Sequence, residues 1–362
     1  MLSKTKILAA LAILLATPAF AQDAAMKVDL LGSITLPTGL IIAGEEFGGI
    51  SGLDYDARSG LFYAISDDRS QRAPARYYEI GLKIDAKGLS AVDVIRRVTL
   101  RDLEGNAFPF NGIDPESIRF NPATRTILWS SEGDVSGRPG IYEARLDGTM
   151  LRSFAVPDYY APNADKTAGV YGNLAFEALT LSTDRKTLYA ATENALAQDG
   201  AKATLEAGSP SRVIAFDLAS GQPTAEYIYE TNPIAIAPTA TTGDIFNDNG
   251  VSEFLTLEDG RFLVVERSFA SGVGNQINFF TASLDGATDI NGQEKAAADA
   301  VAITKQPAFT LAEGDFGLDI DNIESVTFGP EVDGKKTLVI ASDNNFNANG
   351  QFTQFVVLTI TE

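Results

Sequence analysis

The 362-residue sequence contains no cysteine and no histidine. The first absence excludes a disulfide framework and a thiolate nucleophile. Together they exclude Cys/His zinc sites, Ser-His-Asp triads and imidazole acid–base chemistry. An enzyme made from this chain works with carboxylates, hydroxyls, Arg/Lys or a bound metal. Positive charge is also scarce: 28 Lys+Arg stand against 48 Asp+Glu, a formal net charge of −20. Such a chain repels nucleic acid and anionic lipid, so neither is an expected partner. The acidic excess suits a cation-binding protein; its plainer reading is solubility outside the cell. After the first segment no apolar run approaches 18 residues, so no membrane insertion is expected.

What is present is globular in character, with 45% apolar and 21% charged residues. The 32 glycines suit an all-β protein with many turns. Residues 1–21 read as a secretory signal peptide: Lys4 and Lys6, an apolar run from Ile7 to Ala16, then Ala19-Phe20-Ala21 as a cleavage site. Export to the periplasm or the medium is expected, with residues 22–362 as one mature domain, a monomer.

Five segments of that domain share one pattern. They are ISGLDYD (50–56) with LFYAISDDR (61–69), PESIRFNP (115–122) with TILWSSEGD (126–134), and FEALTLST (176–183) with TLYAATEN (187–194). SEFLTLED (252–259) with RFLVVERS (261–268) and IESVTFGP (323–330) with TLVIASDN (337–344) complete the set. Each is an alternating apolar run, a Gly/Asp/Pro turn and a second β-rich run, the mark of a hairpin. Further strand-like runs follow, such as RYYEIGLKI (76–84), GIYEARLD (140–147), RVIAFDLA (212–219) and INFFTASL (277–284). Four antiparallel strands per repeat predict a β-propeller of five four-stranded blades. A sixth remains open if a degenerate blade lies within 270–312. The fifth repeat lacks one strand, and the N-terminal run VDLLGSITLP (28–37) supplies it, closing the ring and removing two sheet edges. A large β-sandwich is the structural alternative. Residues 231–251 read as a long loop, and 195–210 and 286–300 as polar insertions.

Acids recur at fixed places in this repeat. First strands open with Ser51, Glu116, Glu177, Glu253 and Glu324; second strands close with Asp67, Glu132, Glu193, Glu266 and Asp343. The start of one hairpin strand lies beside the end of the other. Nine of these ten positions would therefore put a carboxylate at one mouth of the central channel. Like charges that close cost roughly 1 to 4 kcal/mol per pair. Bound cations, Arg/Lys partners or raised pKa values relieve this. Arg69 and Arg267 are the nearest bases in sequence. The oxygen-rich ligand set suits Ca²⁺, with another divalent cation as the alternative. A purely structural role for the acids, bonding turns and neighbouring backbone, is the competing reading. DIDNIE (319–324) and FNDNG (246–250) resemble EF-hand fragments without the EF-hand spacing. Trp129 reads as core. Tyr159, Tyr160 and Tyr171 either line a pocket or pack within their loop. GISGL around Ser51 lacks the last glycine of a nucleophile elbow, and no histidine exists to activate it.

From about Gly48 to its end, the chain resembles the bacterial phytase-like family described as having esterase-like activity. GISGLDYD with YAISDDR, GIDPESIRF with SSEGD, and NLAFEALTL with YAATEN carry the resemblance. NGVSEFLTL with LVVER and DNIESVTFG with ASDNNF complete it. It implies a secreted propeller and a phosphoric ester hydrolase acting on a small phosphate ester or other ester. By analogy with alkaline β-propeller phytases it implies Ca²⁺. The sequence departs from those phytases in being short of the Lys/Arg and Tyr cluster that would grip a multiply phosphorylated substrate.

In the leading hypothesis Asp67, Glu116, Glu177, Glu253, Glu324 and Asp343 hold metal. Glu132 or Glu193 deprotonates the attacking water, and Arg69 and Arg267 bind phosphate. The bland reading of each Arg is an internal ion pair. The second hypothesis is a propeller lactonase with one cation on Glu116, Glu177, Asn194, Glu324 and Asn344. The third is a binding protein without chemistry.

Overall fold

The five repeated hairpins, built from alternating apolar residues between Gly/Asp turns, become the inner halves of five antiparallel sheets. The computed structural model describes residues 26–361 apart from Asp244, and residues 1–21, read above as a signal peptide, lie outside them. Blade one comprises Ile50–Asp56, Leu61–Ser66, Arg76–Asp85 and Gly88–Thr99. Blade two comprises Pro115–Asn121, Thr126–Ser131, Gly140–Arg145 and Met150–Ser153. Blade three comprises Phe176–Leu181, Thr187–Ala195, Pro210–Asp217 and Pro223–Glu230. Blade four comprises Asn247–Thr256, Phe262–Ala270, Gly274–Ser283 and Thr304–Ala312. Blade five comprises Ile323–Phe328, Thr337–Ser342 and Phe352–Thr361, completed by Lys27–Pro37. Among the described residues the helical segments are two single 3-10 turns, Asp158–Tyr160 and Asp315–Gly317. No helix among them is long and apolar enough to cross a membrane.

The first strand of each blade packs beside that of the next, and that of blade five beside blade one, so the inner strands form a closed ring. The molecule is a five-bladed β-propeller. The stretch 270–312, where a sixth blade was conceivable, supplies the outer two strands of blade four. The ends of the chain meet as expected, in antiparallel register from Val28 opposite Ile360 to Pro37 opposite Phe352. This pairing covers what would otherwise be two open edges.

The core lies between blades. On each first strand two residues face the preceding blade: Ile50 and Leu53, Phe176 and Leu179, Val251 and Phe254, Ile323 and Val326, with Ile118 and Phe120 in blade two. Each such side chain, taken fully from water, contributes about 1.5 to 3 kcal/mol. Trp129 is wholly buried, as expected. Tyr159 and Tyr160 both donate hydrogen bonds to Glu226, which also pairs with the buried Arg212 at 2.9 Å. Arg212 further bonds the Gln293 carbonyl, tying the insertion at 286–300 to blade three.

Candidate active site

Every inner hairpin carries a β-bulge at the same end. The register shifts between Ile50 and Gly52, Pro115 and Ile118, Phe176 and Ala178, Val251 and Glu253, and Ile323 and Ser325. A bulge interrupts the alternation and re-aims a side chain. Here it turns Glu116, Glu177 and Glu324 to the channel mouth. Just beyond the second strand of blades one, two and five, and at the equivalent place in blade three, stand Asp67, Glu132, Asp343 and Glu193. Their backbone N–H groups repeat one bond, to the carbonyls of Gly49, Asp114, Asn322 and Ala175, at 2.7–2.9 Å. These seven carboxylates converge. Glu116 feels Glu177, Asp114, Glu132 and Asp67, while Asp343 feels Asp67 and Glu324.

Blade four departs from the sequence alignment. Val251 pairs with Glu266, and Gly250 with Arg267. The residue equivalent to Glu116 is therefore Ser252, and that equivalent to Glu132 is Arg267. Glu253 and Glu266 are each one position out and do not reach the mouth. Glu253 is wholly buried below it, 2.8 Å from Arg119, and accepts bonds from Ser117 Oγ (2.6 Å) and the N–H groups of Leu179 (3.1 Å) and Phe254 (3.0 Å). Its oxygens are satisfied by the protein, so it is a structural acid rather than one of the expected metal ligands. Glu266 accepts from Tyr229 (2.8 Å) and Asn232 N–H (2.8 Å), and pairs with Lys305.

Arg267 thus occupies a mouth position, but not as an exposed phosphate ligand. It is half-buried between blades three and five, 3.3 Å from Glu193 and 3.9 Å from Glu324, and also bonds Asn322. Burial alone would lower its pKa; Asp248, Glu324, Glu193 and Glu177 outweigh that and hold the guanidinium charged. Asp248 comes from the FNDNG fragment, a residue that spacing did not single out. Close packing is visible at Gly250, where a Cβ would lie 2.4 Å from Glu193 Cγ. Arg267→Met should cost about 3 to 5 kcal/mol, because Glu193 and Glu324 would lose their countercharge. A urea midpoint unchanged in this variant would contradict the placement.

Arg69 and Arg267 together do not balance the acids of the mouth. Burial first, then neighbouring acids, pushes Asp67 and Glu193 up to about 8, although Arg69 and Arg267 respectively oppose the shift. Glu116, Glu132, Glu177 and Asp343 are raised well above the usual carboxylate range by the same two causes. Glu324 is raised by burial although Arg267 opposes it. Asp114, relieved by Arg69, rises only to about 6.

These groups fit a hard cation. Carboxylate oxygens of Asp114, Glu116 and Glu132 lie within 4.8 Å of one another, and so do those of Glu132, Glu177 and Glu193. No N–H or hydroxyl among the described residues donates to Glu132 Oε2 or Asp67 Oδ1, though both atoms are buried. An all-oxygen set is the kind that hard divalent cations, Ca²⁺ among them, take. The lactonase set assembles less well. Asn344 Oδ1 already accepts the N–H groups of Gly49 (3.0 Å) and Phe346 (3.1 Å), and Asn194 Oδ1 that of Ala203 (3.0 Å). Ser51 Oγ donates to the Glu116 carbonyl at 2.8 Å, a blade-to-blade bond.

Beside the mouth, between the loops of blades one to three, opens a cleft of about 430 Å³ that reaches Asp114 and Glu132. Arg69 stands on its wall, 39% exposed, with Nη2 2.5 Å from Asp114. Its loop is braced by Asp68, which accepts the N–H groups of Gln71 (2.8 Å) and Ala73 (2.9 Å) and pairs with buried Arg76 at 2.7 Å. Tyr171 lines the cleft, as one of its two readings anticipated.

Fold and site define a β-propeller with a carboxylate-ringed channel mouth opening on a side cleft. The chain belongs to the phytase-like family described as "Esterase-like activity of phytase", whose model matches residues 45–346. It is 29% identical over 196 residues to an "Uncharacterized secreted protein" of Arthroderma benhamiae, covering 49% of this chain and 36% of that one. The chain thus spans about a third of the length of that curated relative. A solved structure described as "Structure of Dos1 propeller" is 8% identical with a TM-score of 0.34, covering 87% of this chain and 68% of that one.

Proposed function

We propose that this chain is an exported, divalent-cation-dependent hydrolase of phosphate monoesters, with Ca²⁺ as the cation. The observation that carries the reading is the convergence of seven carboxylates, five buried and Asp67 and Glu324 half-buried, against one half-buried arginine, with the Glu132 acceptor left open at the edge of a cleft. Export is supported by the character of residues 1–21 and by the secreted relative. Glu116 and Glu177, with Asp67, Glu324 and Asp343, would hold the cation. When bound, such an ion polarises the phosphate and lowers the pKa of water. Arg69 keeps N–H groups beyond those given to Asp114 and Asn173 and aligns the phosphate as a charge-assisted donor. Glu132 is the base: Oε1 is fixed by the Ala175 N–H, and Oε2 is free to take the proton of the attacking water. Glu193 is held by Arg267 and orients the ring. The water oxygen bonds to phosphorus, the ester P–O bond breaks, and the leaving alkoxide takes a proton from solvent. Chelation should abolish turnover of a phosphate monoester, and Ca²⁺ should restore it. Full activity in excess chelator would sink the cation-dependent reading.

A further inference from the structure

We infer that the preferred ester carries one phosphate on an apolar alcohol, aryl or alkyl, and not several phosphates on a polyol. This rests on the phosphate-monoester reading and names its substrate class. The cleft has two chemically different ends. Its inner end holds Asp114 and the open acceptor of Glu132, itself only 4% exposed. Its more exposed apolar lining is Val135, Pro162 and Tyr171, with Ile113 and Val170 almost wholly buried. The Tyr171 ring is held in place, because its hydroxyl donates to the Gly200 carbonyl at 2.9 Å. Val135 is 79% exposed, and Phe110, next to the cleft residue Asn111, is 67% exposed. Single exposed apolar side chains are ordinary, but these stand at the lip of a cleft with an apolar wall.

Charge argues the same way. The cationic groups of the cleft are Arg69, already paired with Asp114, and Lys166, with Lys202 over the Tyr171 ring at 5.4 Å. Asp114, Glu132 and Asp134 share that space. Each extra phosphate brings about −1.5 to −2 charge. One phosphate can be met by the mouth and Arg69; further ones would face acids and apolar surface. A phosphate turned inward with an apolar group against Val135 and Tyr171 matches both ends.

The test compares kcat/KM for 1-naphthyl phosphate, glycerol phosphate and inositol hexakisphosphate in Ca²⁺, for the wild type and for Val135→Asp and Tyr171→Ala. Burying an apolar group typically discriminates by about tenfold or more. The naphthyl ester should lead glycerol phosphate by that margin, with inositol hexakisphosphate last. Each variant should narrow the lead. A preference for inositol hexakisphosphate, or a naphthyl lead that neither variant moves, overturns the inference. If no phosphate ester is turned over, the hydrolase reading falls by itself. Calorimetry with phenylphosphonate and methylphosphonate then decides the cleft separately. Tighter phenylphosphonate binding that Val135→Asp weakens supports the apolar wall, and equal binding of the two overturns it.

Discussion

Glu132→Gln is expected to lower kcat for a phosphate monoester by about 10² to 10⁴-fold, the usual cost of removing a general base. The same substitution should raise the melting temperature measured in chelator. Both effects have one cause. Glu132 is buried, and its ionised form is opposed first by desolvation and then by Asp114 and Glu193. Gln keeps the shape and an acceptor for the Ala175 N–H without the charge, so the fold gains what the chemistry loses. Ca²⁺ affinity separates the roles Glu132 could play. As the base, the variant keeps Ca²⁺ binding within a few-fold while turnover collapses. Loss of Ca²⁺ binding in step with turnover would make Glu132 a ligand instead. Undiminished turnover would remove it from the chemistry altogether.

Without divalent cation, the protein should be less heat-stable at pH 8 than at pH 5. Asp67 and Glu193 have ordinary values of 3.8 and 4.5 and rise to about 8 in the fold, through burial foremost. Between those limits the native state holds protons that the unfolded chain has released. Stability is then full below about pH 4 and falls as pH climbs towards 8, because the proton-binding difference sets the slope. Glu253, raised to about 7 by burial despite Arg119, adds to the same decline. Saturating Ca²⁺ should reverse the trend. Its ligands must be deprotonated, so its affinity grows with pH, and binding to the native state stabilises it by mass action. Melting curves in chelator and in Ca²⁺, taken from pH 5 to pH 8, read both slopes. A chelated protein whose melting temperature climbs over that range would contradict the burial of these acids, and parallel slopes would remove the cation.

Much of the site was legible because the blades repeat. Glu116, Glu177 and Glu324 follow the same hairpin start, and Asp67, Glu132, Glu193 and Asp343 the same hairpin end. Blade four misled for a definite reason. EFLTL at 253–257 looks like EALTL at 177–181, so residue similarity puts Glu253 beside Glu177. The ladder instead sets Ser252 in that place, with Val251 and Phe254 in the core against blade three. Side chains in a strand alternate, so a one-residue offset sends an acid to a different face. Glu253 went to Arg119 and Glu266 to Lys305, and Arg267 took the fifth position of the ring.

The sequence by itself determined the repeat, the five hairpins and the strand that closes the ring, since these are written in local alternation and turn residues, while the family showed only as a resemblance of five motif pairs. Only the tertiary structure decided which acids share the mouth, that an arginine stands among them, and that a partly apolar cleft opens beside Glu132. Those outcomes depend on bulges, on register and on contacts between blades far apart in the chain, where the free energy of burying charge is set by neighbours that a linear reading does not bring together.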